Sequence, residues 1–426
     1  MKQISTFAIL LVLLFAASLN AQSLNALVLN ALGENLTEVN VANGTVSPNV
    51  ATAGLFTNQV RVKEGIAYVV NSGLNEVQII NTIDYSTLGT IDVGVSTNPW
   101  AIEFLSGNIA AVSLLISNEV AFVDLASRQV LNKIAVGTGP EGMVYRNGML
   151  YVANSGFNGA GYDPGTVFVI EEATSTVIDT IDVSVNPQAL AFDSQGRLVV
   201  CTTGDFAATS GAIEIVDLQQ GSVVESIPAG TFITNIVVSG DDKVYAATFG
   251  SGVLVYNLNT AMYERDGSNP LPGGPGLDIL PDNSVAITHF GADSLYHFAP
   301  DHTMLADWLV GDGPLSVAIF TTPVSAIGDE GSVSINFELA QNYPNPFNPT
   351  TTISYELRSS GDVRLDVLDI TGAVVDVIVS ETQAAGSYNI VWQASAGSGE
   401  SLSSGVYFYR LTHNGSMLTR KMTLLR

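Results

Sequence analysis

An internal repeat of about 40 to 45 residues is the feature that most constrains how this chain can fold. Its clearest mark is an Asn-Pro or Gly-Pro pair that opens a short apolar strand, as at 98–104 and 186–192. Seven copies begin near positions 57, 99, 140, 187, 232, 275 and 314, so successive starts are 39 to 47 residues apart. Each copy holds β-branched runs separated by Gly, Asn, Asp and Pro turns. The repeat therefore predicts an all-β array of four-stranded units.

The last copy of the repeat is incomplete. Its opening strand, 313–320, is not followed by further strands of the same pattern, whereas strand-like runs at 26–29, 36–41 and 44–46 precede the first full copy. A sheet shared between both ends of the array would close a ring and leave no open strand edge at the seam. The sequence therefore predicts a seven-bladed β-propeller over 22–321, in which the closing blade is split between the two ends.

The second strands of two copies carry a recurring Tyr-Val phrase. They read Ala-Tyr-Val-Val-Asn-Ser-Gly at 67–73 and Tyr-Val-Ala-Asn-Ser-Gly at 151–156. With the third and fourth strands, these repeats resemble the YVTN-type family of β-propellers. The resemblance covers about 22–321, and it implies the fold rather than a particular function.

The N-terminus has the pattern of a signal peptide. Lys2 supplies a positive end, 7–17 form an apolar core, and Leu-Asn-Ala at 19–21 resembles a cleavage site before Gln22. The apolar run is short for a membrane span, and no later segment is long and apolar enough to be one. We therefore expect export of the protein, with 1–21 removed and no membrane span in the mature form.

The pattern changes after the repeats. A polar linker at 322–337 leads into 338–426, where short alternating runs predict a small Ig-like β-sandwich. This segment resembles the type A C-terminal sorting domain of the type IX secretion system of Bacteroidota-like bacteria. The matching residues are Tyr343, Pro344, Asn345, Pro346, Phe347, Gly372, Gly405, Tyr407 and Lys421. The resemblance implies type IX machinery as a partner, passage through the periplasm, and a secreted or outer-surface location.

Composition excludes several classes of partner and site. The net charge is −25, from 40 acidic against 15 basic residues, and such a chain repels nucleic acid and anionic membranes. Cys201 is the single cysteine and lies in an apolar run, which favours a buried core thiol over a nucleophile. No disulfide can form within the chain. We expect a monomer without a cofactor, whose ligand is an extracellular protein, peptide or glycan.

The candidate binding residues follow from propeller geometry. The loop that enters each first strand and the loop between the second and third strands share one face, where propellers hold ligands. Trp100, Glu141 and Gln188 follow the proline at the start of first strands. Asn71, Asn154, Phe249 and His289 stand at the ends of second strands, and longer loops at 155–165 and 204–211 lie on the same face. The two asparagines could instead be turn residues. Trp100 could fill the central channel around which the blades of a propeller are arranged, and the long loops could be tolerated insertions.

Catalytic motifs are absent from the sequence. It has no Gly-x-Ser-x-Gly elbow, no His-Glu-x-x-His and no phosphate-binding glycine loop. His289, His297 and His302 fall on different parts of one repeat, so we expect scattered structural histidines and no metal site. The sequence therefore favours a binding module. One alternative is a lactonase-like propeller hydrolase whose channel metal is held by Glu141, Asp278 and His289. A quinone-cofactor dehydrogenase is a weaker one, because that family's tryptophan docking motif is missing.

Overall fold

Two compact units make up the chain, Met1–Val324 and Ser325–Arg426. The computed structural model describes residues 22–248, 250–323, 337–357, 360–369, 374–394, 402–413 and 416–425. The predicted signal peptide and most of the predicted linker lie outside those residues. Within them the chain is built from strands, with two short 3-10 turns at Ser72–Leu74 and Phe290–Ala292. No described helix is long and apolar enough to cross a bilayer.

The larger unit contains seven four-stranded antiparallel sheets in its described part. Three strands come before the first complete sheet: β1 (Gln22–Asn30), β2 (Asn35–Asn40) and β3 (Val46–Thr52). Sheets 1 to 3 are β4 (Thr57–Lys63), β5 (Ile66–Asn71), β6 (Glu76–Asn81) and β7 (Thr87–Asp92); β8 (Pro99–Phe104), β9 (Ile109–Leu114), β10 (Glu119–Asp124) and β11 (Gln129–Ala135); and β12 (Pro140–Arg146), β13 (Met149–Asn154), β14 (Gly165–Glu171) and β15 (Thr176–Val183). Sheets 4 to 6 are β16 (Pro187–Phe192), β17 (Leu198–Thr202), β18 (Ala212–Asp217) and β19 (Ser222–Pro228); β20 (Ile233–Val238), β21 (Lys243–Thr248), β22 (Val253–Asn257) and β23 (Met262–Arg265); and β24 (Leu277–Ile279), β25 (Val285–His289), β26 (Ser294–Phe298) and β27 (Met304–Leu309).

The remaining sheet joins the first and the last described strands of this unit. Strand β28 (Pro314–Pro323) pairs with β1, and the sheet continues through β2 to β3. We call it the closing sheet, with β28 as its first strand. The first strand of each sheet contacts the first strand of the next, and β28 contacts β4, so the series returns to its start. The shared sheet that the incomplete repeat predicts is therefore present.

In the described part of this unit, seven separate apolar cores lie between neighbouring sheets. The core between sheets 1 and 2, for example, combines Val70 and Ile79 with Val112 and Val123. Second and third strands are covered on both faces, so they read as nearly continuous apolar runs. Fourth strands are exposed along much of their length. The closing sheet and sheet 1 also bury an apolar core between them. Burial of apolar surface therefore favours the contact that joins the end of the series to its start.

Polar side chains also link consecutive first strands. These strands have no sheet partner on their inner edge, so their backbone N–H groups need other acceptors. The acceptors come from the preceding sheet: Gln59 Oε1 accepts from Ile102 N at 2.8 Å, Asp278 Oδ2 from Ile319 N at 2.7 Å, and Ser316 Oγ from Val60 N at 3.2 Å. Each such bond ties one sheet to the next at the inner edge.

The smaller unit is a two-sheet sandwich in its described part. One sheet contains β29 (Phe337–Leu339), β30 (Thr350–Leu357) and β33 (Gly386–Gln393); the other contains β31 (Gly361–Leu368), β32 (Val374–Gln383), β34 (Gly405–His413) and β35 (Ser416–Leu424). Their facing sides bury one core that includes Phe347, Leu365, Trp392 and Tyr409. The Tyr409 hydroxyl donates to Ala340 O and accepts from Asn342 N, each at 2.7 Å. A sandwich of this kind agrees with the alternation read from the sequence.

Candidate functional site

One face of the larger unit is formed by two sets of connections, which we together call the loop face. One set leads from second to third strands, at 31–34, 72–75, 115–118, 155–164, 203–211, 249–252 and 290–293. The other leads into first strands, at 53–56, 93–98, 136–139, 184–186, 229–232, 266–276 and 310–313. The two sets are joined by backbone hydrogen bonds, as from Ser155 N to Gly139 O and from Thr203 N to Asn186 O. Their hydrogen bonds hold the two sets side by side.

Among the connections between strands, exposed apolar side chains are concentrated on the loop face. Among the described residues of the larger unit, ten large apolar side chains in connections are exposed, and only Ile83 among them lies in a connection of the opposite face. The other nine lie on the loop face and are 38–90% exposed: Leu32, Leu55, Phe56, Leu74, Val95, Ile116, Phe157, Phe206 and Phe290. Single exposed apolar residues need no explanation, but a one-sided set of this size is typical of an interaction surface.

Four aromatic rings form a continuous row across part of the loop face. The row runs from Phe157 through Tyr162 and Phe206 to Phe232, with ring centroids 5.6, 6.2 and 5.2 Å apart. It begins in the long loop of sheet 3, crosses the long loop of sheet 4 and ends at the entrance to sheet 5. The row therefore connects loops of three sheets.

The long loop of sheet 4 holds its ring by a tight backbone arrangement. Phe206 has a φ of 57°, a left-handed conformation that bulky residues seldom adopt. The carboxylate of Asp205 holds the turn by accepting from Ala207 N at 2.9 Å and Thr209 N at 2.8 Å. A Cβ on Gly204 would lie 2.0 Å from Thr209 O, so only glycine allows this close return of the chain. The loop is thus built to present Phe206.

The strand pairing is irregular at the start of three first strands, where Trp100, Glu141 and Gln188 lie. The pairing shifts between Pro99 and Ile102, and the corresponding shifts follow Pro140 and Pro187. Such bulges turn a side chain away from its regular direction. Trp100 is half-buried against the core between sheets 2 and 3. Gln188 is also half-buried, and its Nε2 donates to Asn186 Oδ1 at 3.3 Å.

Glu141 is an acid buried within the larger unit. The residue is 5% exposed, and its Oε2 has no hydrogen-bond partner. Burial raises the pKa of this carboxyl to about 8, and this effect outweighs a hydrogen bond with the Ser155 hydroxyl that lowers the pKa. Burial is the main cause of the raised pKa of the Tyr162 phenol, and the nearby Glu141 carboxyl raises that pKa further. Glu141 therefore lies beneath the aromatic row as a mainly neutral acid at neutral pH.

The remaining predicted site residues differ in their exposure. Asn71 and Asn154 are 0% and 1% exposed; Asn71 Oδ1 accepts from Gly54 N, and Asn154 Nδ2 donates to Thr166 Oγ1. These contacts suit turn residues that brace the loops. His289 is half-buried, and its Nδ1 accepts from Ala292 N at 3.0 Å. Phe249 lies outside the described residues.

The residues considered for a channel metal are engaged locally. Asp278 bonds to the backbone of Ile319 and Ile279, and His289 caps the 3-10 turn that follows it. In the described part of the chain, no three His, Cys, Asp or Glu side chains are grouped so that they could hold a metal ion. The geometry does not bring Glu141, Asp278 and His289 into one ligand set.

The C-terminal motif residues fall into an exposed and a buried part. Tyr343 is 82% exposed, and Pro344, Asn345 and Pro346 are exposed with it, whereas Phe347 is 2% exposed and packs on Trp392. The turn is pinned to β35, since Phe347 N donates to Thr423 O at 3.0 Å and Thr423 N to Asn345 Oδ1 at 2.9 Å. Gly405 begins β34, Tyr407 is buried in it, and Lys421 pairs with it from β35. Gly372 lies outside the described residues.

Comparison with known proteins supports both units of the fold. Residues 343–416 match the FlgD Ig-like domain. Among solved structures, a putative 6-phosphogluconolactonase from Bacteroides uniformis is 14% identical with a TM-score of 0.56, over 70% of this chain and 100% of its own. Hydrazine synthase of Kuenenia stuttgartiensis is 16% identical with a TM-score of 0.52, over 64% of this chain and 96% of its own. Streptogramin B lyase is 12% identical with a TM-score of 0.51, over 62% and 86%. No curated protein matches the chain.

These structures are propeller-type proteins, and matches of this extent have to lie mainly in the larger unit. At such low identity the likeness concerns the fold alone. The larger unit therefore has a β-propeller fold, and an Ig-like domain follows it. Most of the exposed apolar loop residues and the continuity of the aromatic row are not among the features predicted from the sequence. A signal was available, because nearly every connection from a second to a third strand carries one large apolar residue among small and polar ones.

Proposed function

We propose that the seven sheets are the blades of a seven-bladed propeller that serves as a binding module through its loop face. The observation that carries this proposal is the one-sided distribution of exposed apolar side chains in the described connections. Burial of such a surface against a partner would release about 25 cal/mol for each Å² of apolar area. The aromatic row is its natural centre, since aromatic side chains dominate the binding energy of many interfaces.

Screening followed by paired substitutions tests this proposal. Purified protein would first be screened against peptides and glycans by the shift in its melting temperature. Phe206→Ser and Phe157→Ser should then weaken binding of a hit about tenfold or more. Val224→Ser and Leu131→Ser remove equally exposed apolar side chains from fourth strands and are the matched controls. Equal losses in the control variants would refute the loop face as the binding surface.

Propeller hydrolysis with a channel metal is the alternative, and metal analysis separates the two. The binding proposal expects no stoichiometric metal in protein purified without chelator. A bound zinc or calcium ion at one per chain, removed by Glu141→Ala or His289→Ala, would favour the hydrolase instead.

We further propose that the protein is secreted or displayed on the outer surface through a type IX secretion system. Two features support this: the motif residues stand at the start of an Ig-like domain, and their exposed Tyr343 turn is fixed by β35. In a bacterium that has this secretion system, deletion of 338–426 should leave the propeller in the periplasm. Tyr343→Ala should reduce export, whereas Val391→Ala, at a residue 70% exposed in the same unit, should not. Full export of the deletion variant would contradict the proposal.

A further inference from the structure

The charges of the loop face have one sign. Its fourteen connections contain six acidic residues and no lysine, arginine or histidine. His289 is the last residue of β25 and directly precedes one of these connections. The acids are Glu34, Asp163, Asp205, Asp266, Asp293 and Asp312. All eight lysines and arginines of 22–323 lie in strands or in connections of the opposite face. One of them approaches the rim, since Lys133 Nζ donates to Val93 O at 2.7 Å.

These acids are accessible to solvent. Glu34, Asp163, Asp266 and Asp312 are exposed, and Asp205 and Asp293 are partly so. Backbone hydrogen bonds lower the pKa of Asp205. For Asp266 the Ser268 hydroxyl and backbone do the same. A carboxylate that accepts backbone N–H groups remains ionised well below neutral pH. The loop face is therefore both apolar and negative.

Acids and aromatic rings are interleaved at the centre of the face. Asp163 follows Tyr162 in the long loop of sheet 3, and Asp205 precedes Phe206 in the long loop of sheet 4. The two rings lie 6.2 Å apart between centroids. Aromatic faces attract organic cations, and neighbouring carboxylates attract them further. Apolar side chains of the same ligand would rest on the rings of Phe157 and Phe232.

We propose that the loop face binds a polypeptide segment in which lysine or arginine residues alternate with apolar ones. The inference rests on the binding function proposed above and names the partner by charge complementarity. Apart from Lys133 at the rim, the face offers no lysine or arginine that could pair with the carboxylates of an acidic peptide, so its charge disfavours such a ligand. An uncharged glycan could donate hydrogen bonds to the carboxylates but would lack the attraction between opposite charges that a basic peptide gains.

Three synthetic peptides of equal length test the proposal on the full chain by calorimetry at physiological salt. One alternates Lys with Leu, the second Glu with Leu, and the third Lys with Ser. The Lys–Leu peptide should bind at least about tenfold more tightly than either other peptide, because only it satisfies both the acids and the rings. Its affinity should fall as salt is raised, owing to screening of the carboxylates.

Matched variants show where the peptide binds. Asp163→Asn should lower the affinity for the Lys–Leu peptide a few-fold, and Phe206→Ser should lower it about tenfold. Asp179→Asn and Val224→Ser remove an exposed acid and an exposed apolar side chain from fourth strands, and they should change nothing. Equal binding of the Glu–Leu peptide, or no binding of the Lys–Leu peptide, would overturn the inference and leave the binding function standing. Peptide binding that only the fourth-strand variants weaken would overturn both.

Discussion

The neutral form of the Glu141 carboxyl should make stability of the propeller depend on pH in a way that Glu141→Gln removes. Burial raises the pKa of this carboxyl from 4.5 to about 8. Between these two values the folded state holds a proton that the unfolded state has released. The contribution of the protonated carboxyl to the stability of the folded state is therefore fully present below about pH 4.5. It is lost as pH rises toward 8. The loss corresponds to about 1.4 kcal/mol per pH unit.

The magnitude follows from the width of that interval. At pH 7 the wild type has lost roughly 3 kcal/mol, and near pH 8 roughly 4 kcal/mol, relative to acid conditions. Glutamine is a neutral residue of the same shape, and it can keep a hydrogen bond with Ser155. The variant and the wild type should therefore be about equally stable near pH 5. Near pH 8 the variant should be the more stable by a few kcal/mol.

Urea unfolding of both proteins across this pH range, followed by fluorescence and circular dichroism, measures the difference. Other titrating groups of the propeller, including the buried Glu103 and the half-buried Asp278, cancel in the comparison because both proteins contain them. The infrared difference spectrum near pH 7, wild type minus variant, should also show a protonated carboxyl band. Stability curves that stay parallel from about pH 5 to pH 8 would refute the assignment of a buried neutral Glu141.

Three further predictions concern the inner ring, the small sandwich and the core thiol. Asp278→Ala removes the acceptor of the Ile319 amide and should destabilise the propeller by about 1–3 kcal/mol in urea unfolding, whereas Asp278→Asn should cost less; no loss would mean that this bond does not contribute to closure. Tyr409→Phe leaves the Ala340 carbonyl without its donor and should lower the stability of the smaller unit by about 1–2 kcal/mol, without moving the transition of the propeller. Cys201 is 0% exposed and burial raises the pKa of its thiol, so a thiol reagent should label it only after unfolding; rapid labelling of the native protein would contradict its place in the core.

The amino-acid sequence alone is sufficient to predict the repeat, most starts of first strands and the shared closing sheet. Pro99, Pro140 and Pro187 begin first strands as the repeat predicts, because proline fixes the backbone and has no N–H for a ladder. Local chemistry is sufficient here, since turn residues and apolar runs act over a few positions. Strand order within each sheet follows for the same reason, because short connections pair consecutive strands.

The composition of the candidate site, in contrast, depends on contacts between residues that are distant in sequence. Asn71 and Asn154 look like surface residues in the sequence, but the loops that fold over them leave almost no exposed area. Conversely, the rings of Phe157, Tyr162 and Phe206 meet although they belong to two different repeats. The neutral state of Glu141 likewise depends on burial by neighbouring sheets. Exposure, ring contact and pKa are set by groups distant in sequence, and periodicity carries no information about such neighbours.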